Sequence, residues 1–285
     1  MRRILLVWAA VAMLLTPGRL ASVVLAADPE SAWIPVAPGM ELRLFSIPRD
    51  TSEGTVAVLR LDPSRVELEL GTALASGRSR TVEDWAAAHN FTAVINAGMY
   101  RMDERFLSTG FLRDKSVEVN TFFHPNYGAL FLFQPKRPDL PPVRFVDRTA
   151  DPHWRAHMDD YFGVMQNYRL FGPDRQNAWP ATGKPHSQAA LAVDAAGRVL
   201  LLHCRPRITT GQFAQILLEL PLELAGAMYL EGGADAALFV QTPSGPRRFV
   251  GEYASDLAAA SNEHFWPVPN VLGARPKPAP GAAHP

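Results

Sequence analysis

The stretch Ala225 to Val240, AGAMYLEGGADAALFV, decides the architecture: an apolar run ends in an acid and two glycines, and a second acid precedes another apolar run. Ala227 to Leu230 is short, apolar and uncharged, the signature of a buried strand, and Glu231 stands at its end. Gly232 and Gly233 then give the backbone access to positive φ and a surface without side chains, so a partner can approach closely. A carboxylate fixed at the end of an interior strand beside bare backbone N–H groups holds a reactive group still while leaving room for its reaction partner. A plain turn with a solvated charge fits the same letters, so the surrounding chain has to arbitrate.

Working outward, Ser187 to Cys204 places Ala195-Ala196-Gly197 between two apolar runs and predicts a hairpin that delivers His203 and Arg205 at its exit. Thr209 and Gln212 have capping-box spacing, and Phe213, Ile216, Leu217 and Leu220 continue at helical period up to Pro221. Ala237 to Gln241 and Arg247 to Val250 make a closing hairpin. Earlier, Glu41 to Phe45, Thr55 to Leu61 and Val66 to Leu70 alternate apolar with polar, as neighbouring strands of one antiparallel layer do. Thr81 caps a short helix, and the apolar strand Phe91 to Ile95 ends in Asn96-Ala97-Gly98-Met99-Tyr100, which repeats the theme of strand, polar residue and glycine. Strands also fit Phe111 to Lys115, Gly128 to Phe133 and Val143 to Val146. From Asp151 to Pro185 regular patterning fades, and so long an irregular stretch is expected to border a cleft. Many strands, few helices and no regular βαβ alternation give an α+β fold, a single domain of mixed, mostly antiparallel sheet with a few packed helices.

A chain of 285 residues, 47% of them hydrophobic, builds a substantial core unaided. A formal net charge of +0 argues against a nucleic-acid partner, and the single cysteine, Cys204, excludes an internal disulfide and any multi-cysteine metal site. Arg2 and Arg3 before the apolar run Ile4 to Leu15, with small residues ahead of Asp28, have the order of a secretory signal. Residues 1–27 are therefore expected to be a signal peptide and 28–272 the domain, with 273–285 a disordered Pro/Ala-rich tail. The mature protein is expected in the periplasm or secreted, with no stable membrane insertion after signal removal.

Three stretches resemble the phosphodiester glycosidase family. They are Val94 to Tyr100 with Thr109-Gly110 downstream, the hairpin Ser187 to His203, and the capped helix leading to Met228 through Gly233. The likeness spans about Val56 to Val250 and lies in the order and spacing of the motifs. The family more often has glycine and aromatics where Ala97 and Met99 stand, Asp where Glu231 stands, and small hydroxyl residues at Ala236 and Ala237.

The resemblance implies a hydrolase that cleaves between a sugar's anomeric carbon and a phosphodiester oxygen, acting on a small molecule or glycan. Phosphate is already a good leaving group, so such a site needs a carboxylate facing an oxocarbenium-like centre and donors to hold the phosphate. Glu231 supplies the carboxylate, and an apolar strand end raises its pKa in the direction that suits a base. His203 is the second catalytic candidate because its charge range fits proton transfer; a structural histidine fits the position too. Arg205 is the candidate phosphate ligand, since a planar guanidinium makes bidentate contacts with phosphate oxygens; a surface ion pair fits the position equally. Asn96 and Thr109 are expected to bind sugar hydroxyls, with a turn-forming asparagine as the alternative. Gln166 and Arg169 lie in the loop expected to border the cleft, Gly232 and Gly233 are expected to line it, and Trp179 can stack on a sugar; a structural role fits Gln166, Arg169 and Trp179 at least as well. Asp235 is the obvious second acid, with a solvent-facing role as its alternative. No spacing of His, Asp and Glu resembles a metal site, so a reaction without cofactor or metal is expected. Ser187 with a histidine and an acid makes a paper triad, but no G-x-S-x-G elbow surrounds it. The stronger rival is a glycan-binding protein of the cell envelope that keeps the cleft without the chemistry.

Overall fold

The computed structural model describes residues 32–47, 54–101, 107–252 and 264–278. The expected signal peptide, 1–27, and the end of the expected tail, 279–285, lie outside the described residues.

The chain opens with strands β1 (Ile34–Ala37), β2 (Met40–Ser46), β3 (Thr55–Leu61) and β4 (Val66–Thr72). A short turn of helix, α1 (Ala73–Ser76), precedes α2 (Val82–His89), whose start is fixed by Thr81 Oγ1 accepting from the Asp84 N–H at 3.0 Å. Strands β5 (Ala93–Asn96), β6 (Leu112–Arg113), β7 (Glu118–Asn120), β8 (Ala129–Pro135) and β9 (Val143–Asp147) come next, then α3 (Trp154–Asp159), β10 (Tyr161–Asn167) and β11 (Arg169–Phe171). The expected hairpin is β12 (His186–Asp194) with β13 (Val199–Ile208). Helix α4 (Thr210–Glu219) starts in a complete capping box, Thr209 N–H on Gln212 Oε1 at 2.9 Å and Gln212 N–H on Thr209 Oγ1 at 3.2 Å. The chain closes with β14 (Leu224–Gly232), β15 (Ala237–Thr242), β16 (Gly245–Val250) and β17 (Asn270–Pro276).

These strands form a seven-stranded sheet, β1-β2-β3-β13-β12-β14-β11, and two five-stranded sheets, β7-β6-β10-β8-β9 and β16-β15-β5-β17-β4. The central pairs, β12 on β13, β12 on β14 and β5 on β15 and β17, are all antiparallel. Pleating sorts the side chains: Leu191, Leu201, Met228 and Leu230 face a core shared with Phe131, Ile95, Leu238 and Leu272 of the other sheets. Their neighbours Ala190, Leu200, Leu202 and Tyr229 face the opposite way, onto Phe213 and Leu217 of α4. Thus the three sheets wrap one core and the helices seal their outer faces.

Three expectations need correction. β4 does not join β2 and β3; it is the edge of the third sheet, paired with β17 from the far end of the chain, a contact that no local pattern encodes. Residues 151–185 are not irregular throughout, since they hold α3, β10 and β11. The tail does not begin at Gly273: β17 runs to Pro276 between β4 and β5, with Ala274 fully buried. Gly273 is there because a Cβ would sit 2.2 Å from the Phe91 ring, which packs flat on the strand.

Candidate active site

β14 brings Glu231 into place through a defect in its own pairing. Ala190 opposes Tyr229 and Ala189 opposes Glu231, so Leu230 is an extra residue, a β-bulge that re-aims the end of the strand. The bulge is held from β10: Asn167 Nδ2 donates to the Leu230 carbonyl at 3.1 Å, and Asn167 Oδ1 accepts from the Tyr168 N–H at 2.8 Å. Gly98, at φ 101, makes room for that amide, because a Cβ there would meet Asn167 Nδ2 at 2.8 Å. The Asn96 to Tyr100 stretch, the end of β10 and the end of β14 are therefore locked together. On the other side, a Cβ at Gly232 would lie 2.1 Å from His186 Cδ2 and 2.5 Å from the Tyr229 hydroxyl. His186 Nδ1 lies 2.8 Å from the Lys184 carbonyl and therefore carries a proton, and its Nε2 lies 3.3 Å from the Tyr229 hydroxyl. After Gly232 the chain makes a single 3-10 turn over Gly233–Asp235, which returns a second carboxylate toward the first.

Burial is the leading influence on the two acids at this turn and on the phenols of Tyr100, Tyr127 and Tyr229 beside them. It pushes the Glu231 carboxyl up to about 7, further raised by the charge of Asp235 and opposed by the Gly232 N–H donating to Oε1 at 3.0 Å. Asp235 is also raised by burial, while the Tyr100 hydroxyl, donating to its Oδ2 at 3.4 Å, pulls it back. Burial and then these acids push the Tyr100 and Tyr229 hydroxyls well above their ordinary range. Tyr127 is raised too, by burial first and, among smaller influences, by the charges of Tyr168 and Glu231. The phenols thus stay neutral donors at any working pH, around a carboxylate poised near neutrality.

The rings form a continuous wall. Centroids lie 3.9 Å apart for His124 and Tyr127, 4.5 Å for Tyr127 and Tyr168, 5.3 Å for Tyr168 and Trp179, and 6.3 Å for Trp179 and Tyr229. Within it Tyr127 and Tyr229 are buried, at 3% and 7% exposure, while His124, Tyr168 and Trp179 are partly exposed. Sequence reasoning missed Tyr100, Tyr127, Tyr168 and Tyr229. The spacing of Tyr229 and Glu231 across one bulged residue, and the tyrosine closing the Asn96 to Tyr100 motif, were the signals available.

Each expected site residue has a place. Asn96, 2% exposed, accepts from the Ala237 N–H at 3.2 Å through Oδ1. Thr109 Oγ1 donates to the Met99 carbonyl at 3.1 Å and meets the Tyr127 hydroxyl at 2.8 Å, so it orients that ring. Gln166 is saturated: Oε1 accepts from the N–H groups of Phe111 (3.1 Å) and His124 (3.0 Å), and Nε2 donates to the carbonyls of His124 (2.9 Å) and Tyr127 (3.0 Å). It shapes the loop that carries Tyr127 and has no capacity left for a ligand. Arg169 is joined to the buried Asp147 at 2.7 Å, and its carbonyl accepts from the Trp179 indole at 2.9 Å. These two residues support the wall rather than line the cleft. His203 is 1% exposed, its Nε2 3.1 Å from the Ala236 carbonyl, and burial lowers its pKa to about 4. A neutral, sealed imidazole that holds the segment after Glu231 is a structural group. Arg205 stands exposed at the bulged end of β13, two strands from β14, where its carbonyl accepts from Ser187 Oγ at 2.5 Å. That bond occupies Ser187, the nucleophile of the paper triad. Among the described residues no group of three His, Cys, Asp or Glu side chains is placed to hold a metal ion, and no helix is long and apolar enough to cross a membrane.

A sequence profile of the phosphodiester glycosidase family matches residues 89–275. Among solved structures the chain is similar to the catalytic domain of zebrafish N-acetylglucosamine-1-phosphodiester alpha-N-acetylglucosaminidase, auto-inhibited by its pro-peptide. The TM-score is 0.56 at 13% identity, over 86% of each chain. It is also similar to a hypothetical protein from Synechocystis, with a TM-score of 0.53 at 13% identity, covering 85% of this chain and 64% of that one. A search among curated proteins finds no match.

Proposed function

Since the chain belongs to the phosphodiester glycosidase family, we propose that it is an exported hydrolase that cleaves the glycosidic bond of a sugar-1-phosphodiester, with Glu231 as the reacting carboxylate. The observation that carries this is the setting of Glu231 on the bulged end of β14, desolvated to a pKa of about 7 and flanked by neutral phenols. A carboxylate tuned near neutrality is a good general base. Ionised Glu231 takes a proton from water, the water oxygen bonds to the anomeric carbon, and the bond from that carbon to the phosphate oxygen breaks. The phosphomonoester leaves as an anion and needs no proton. The tyrosine wall holds the sugar, and the exposed Arg205 is the cation proposed for the phosphate. The charged and apolar order of residues 1–27 supports export.

The test is turnover of a chromogenic sugar-1-phosphodiester by wild type and Glu231→Gln. Loss of ~10²–10⁴-fold in kcat in the variant supports the enzyme. Binding without turnover in both proteins replaces it with a glycan-binding role.

A further inference from the structure

Buried side-chain polar atoms without a hydrogen-bond partner are few among the described residues, and their distribution is uneven. Four belong to Arg43, Arg80, Arg113 and Arg148. Each of these guanidinium groups lies over an aromatic ring, on Phe45 at 4.3 Å, Trp85 at 4.7 Å, Phe111 at 5.4 Å and Trp154 at 4.6 Å, which offsets the missing bond. Ser79 Oγ lies in the loop before α2. The remaining three are Asn96 Nδ2, Gln188 Oε1 and Asp235 Oδ1, all on segments that meet at Glu231. Gln188 opposes Gly232 across β12 and β14. Asn96 and Asp235 belong to segments joined by two hydrogen bonds, Ala237 N–H to Asn96 Oδ1 at 3.2 Å and Tyr100 O–H to Asp235 Oδ2 at 3.4 Å.

Each of those bonds uses one end of a side chain and leaves the other unused, a donor on Asn96 and an acceptor on Asp235. An unpaired buried group is costly, so two complementary ones beside a reacting carboxylate point to a group that arrives from outside. One hydroxyl lying between them would satisfy both, its oxygen accepting from Nδ2 while its hydrogen is donated to Oδ1. We propose that Asn96 Nδ2 and Asp235 Oδ1 bind a single ring hydroxyl of the sugar, which makes Asp235 a specificity-determining residue. The inference rests on the reading of the ligand as a sugar phosphodiester. An attacking water satisfies the same two atoms, and the test separates the two sources.

Asp235→Asn keeps an acceptor for Tyr100, and Asn96→Asp keeps one for the Ala237 N–H, so each variant changes only the unused atom. The probes are methyl phosphodiesters of glucose, mannose and N-acetylglucosamine 1-phosphates with their monodeoxy analogues, monitored both by calorimetric binding and by turnover. In wild type, removal of one particular hydroxyl weakens binding by ~100-fold or more, because a site built around a hydroxyl rejects the analogue without it. Either single variant loses that preference. The double variant regains most of it, because the hydroxyl then donates where the amide stood and accepts where the carboxylate stood. Thermal unfolding of all four proteins checks that the folds are equal. Failure of any probe to bind, or a preference that survives Asp235→Asn, overturns the proposal. Equal binding of every deoxy analogue also overturns it and assigns the two atoms to water. The preference without turnover keeps the hydroxyl site and removes the proposed cleavage; turnover without the preference does the reverse.

Discussion

Glu231 on β14 and His203 on β13 stand two strands apart in one sheet, and burial drives each toward its neutral form, the acid up to about 7 and the imidazole down to about 4. By titration alone they look alike. Their surroundings differ: His203 is sealed at 1% exposure and held by the Ala236 carbonyl, whereas Glu231 is partly exposed and bordered by neutral phenols and unpaired polar atoms. A perturbed pKa therefore marks burial, and only the unused hydrogen-bonding capacity nearby marks a site.

The sharpest way to break this contrast is to remove each group in turn. Glu231→Gln is expected to lower kcat by ~10³-fold with KM little changed, which is about 4 kcal/mol of transition-state stabilisation. His203→Ala is expected to cost about 3 kcal/mol of stability in a urea melt, through a cavity and an orphaned Ala236 carbonyl, while the folded fraction keeps its kcat.

The pH dependence of stability sharpens the same pair, with opposite signs. The folded-state pKa of Glu231, about 7, lies above its ordinary 4.5, so the folded protein holds a proton that the unfolded chain releases. Stability is lost as pH rises from 4.5 to 7, by up to roughly 3 kcal/mol, and Glu231→Gln should restore it at pH 9 and change little at pH 4. His203 is depressed from 6.5 to about 4, so stability is lost as pH falls through that window. Urea midpoints from pH 4 to 9 measure both, and a flat difference between wild type and Glu231→Gln would contradict the desolvated carboxyl.

Gln166→Leu should act at a distance, lowering kcat/KM by ~10-fold as the loop carrying Tyr127 loosens. Arg205→Ala should raise KM for a phosphodiester by about 5-fold and leave kcat alone, the smallest effect expected.

Legibility in the sequence was local. The capped helices at Thr81 and Thr209, the hairpin of β12 and β13, and the strand ending in Glu231-Gly232-Gly233 are each written in one short continuous stretch, and the family resemblance lay in their order. The pairing of β4 with β17 was not legible, because it joins positions about 200 residues apart and its signature, Gly273 under Phe91, reads locally as a loop glycine. Within the site, the position of Glu231 at the end of an interior strand was legible, because an acid and two glycines close an apolar run. For Gln166 the sequence left a ligand contact and a structural role open, because an amide that braces backbone looks the same in a sequence as one that binds a sugar; the structure shows the bracing role. The tyrosines, from four different segments, assemble only in three dimensions.

The central claim is tested most directly by the pH dependence of kcat/KM on a chromogenic sugar-1-phosphodiester. In wild type a single ionisation near pH 7 should govern the rise, with no such limb in the residual activity of Glu231→Gln. A variant that retains wild-type turnover with the same limb would contradict it.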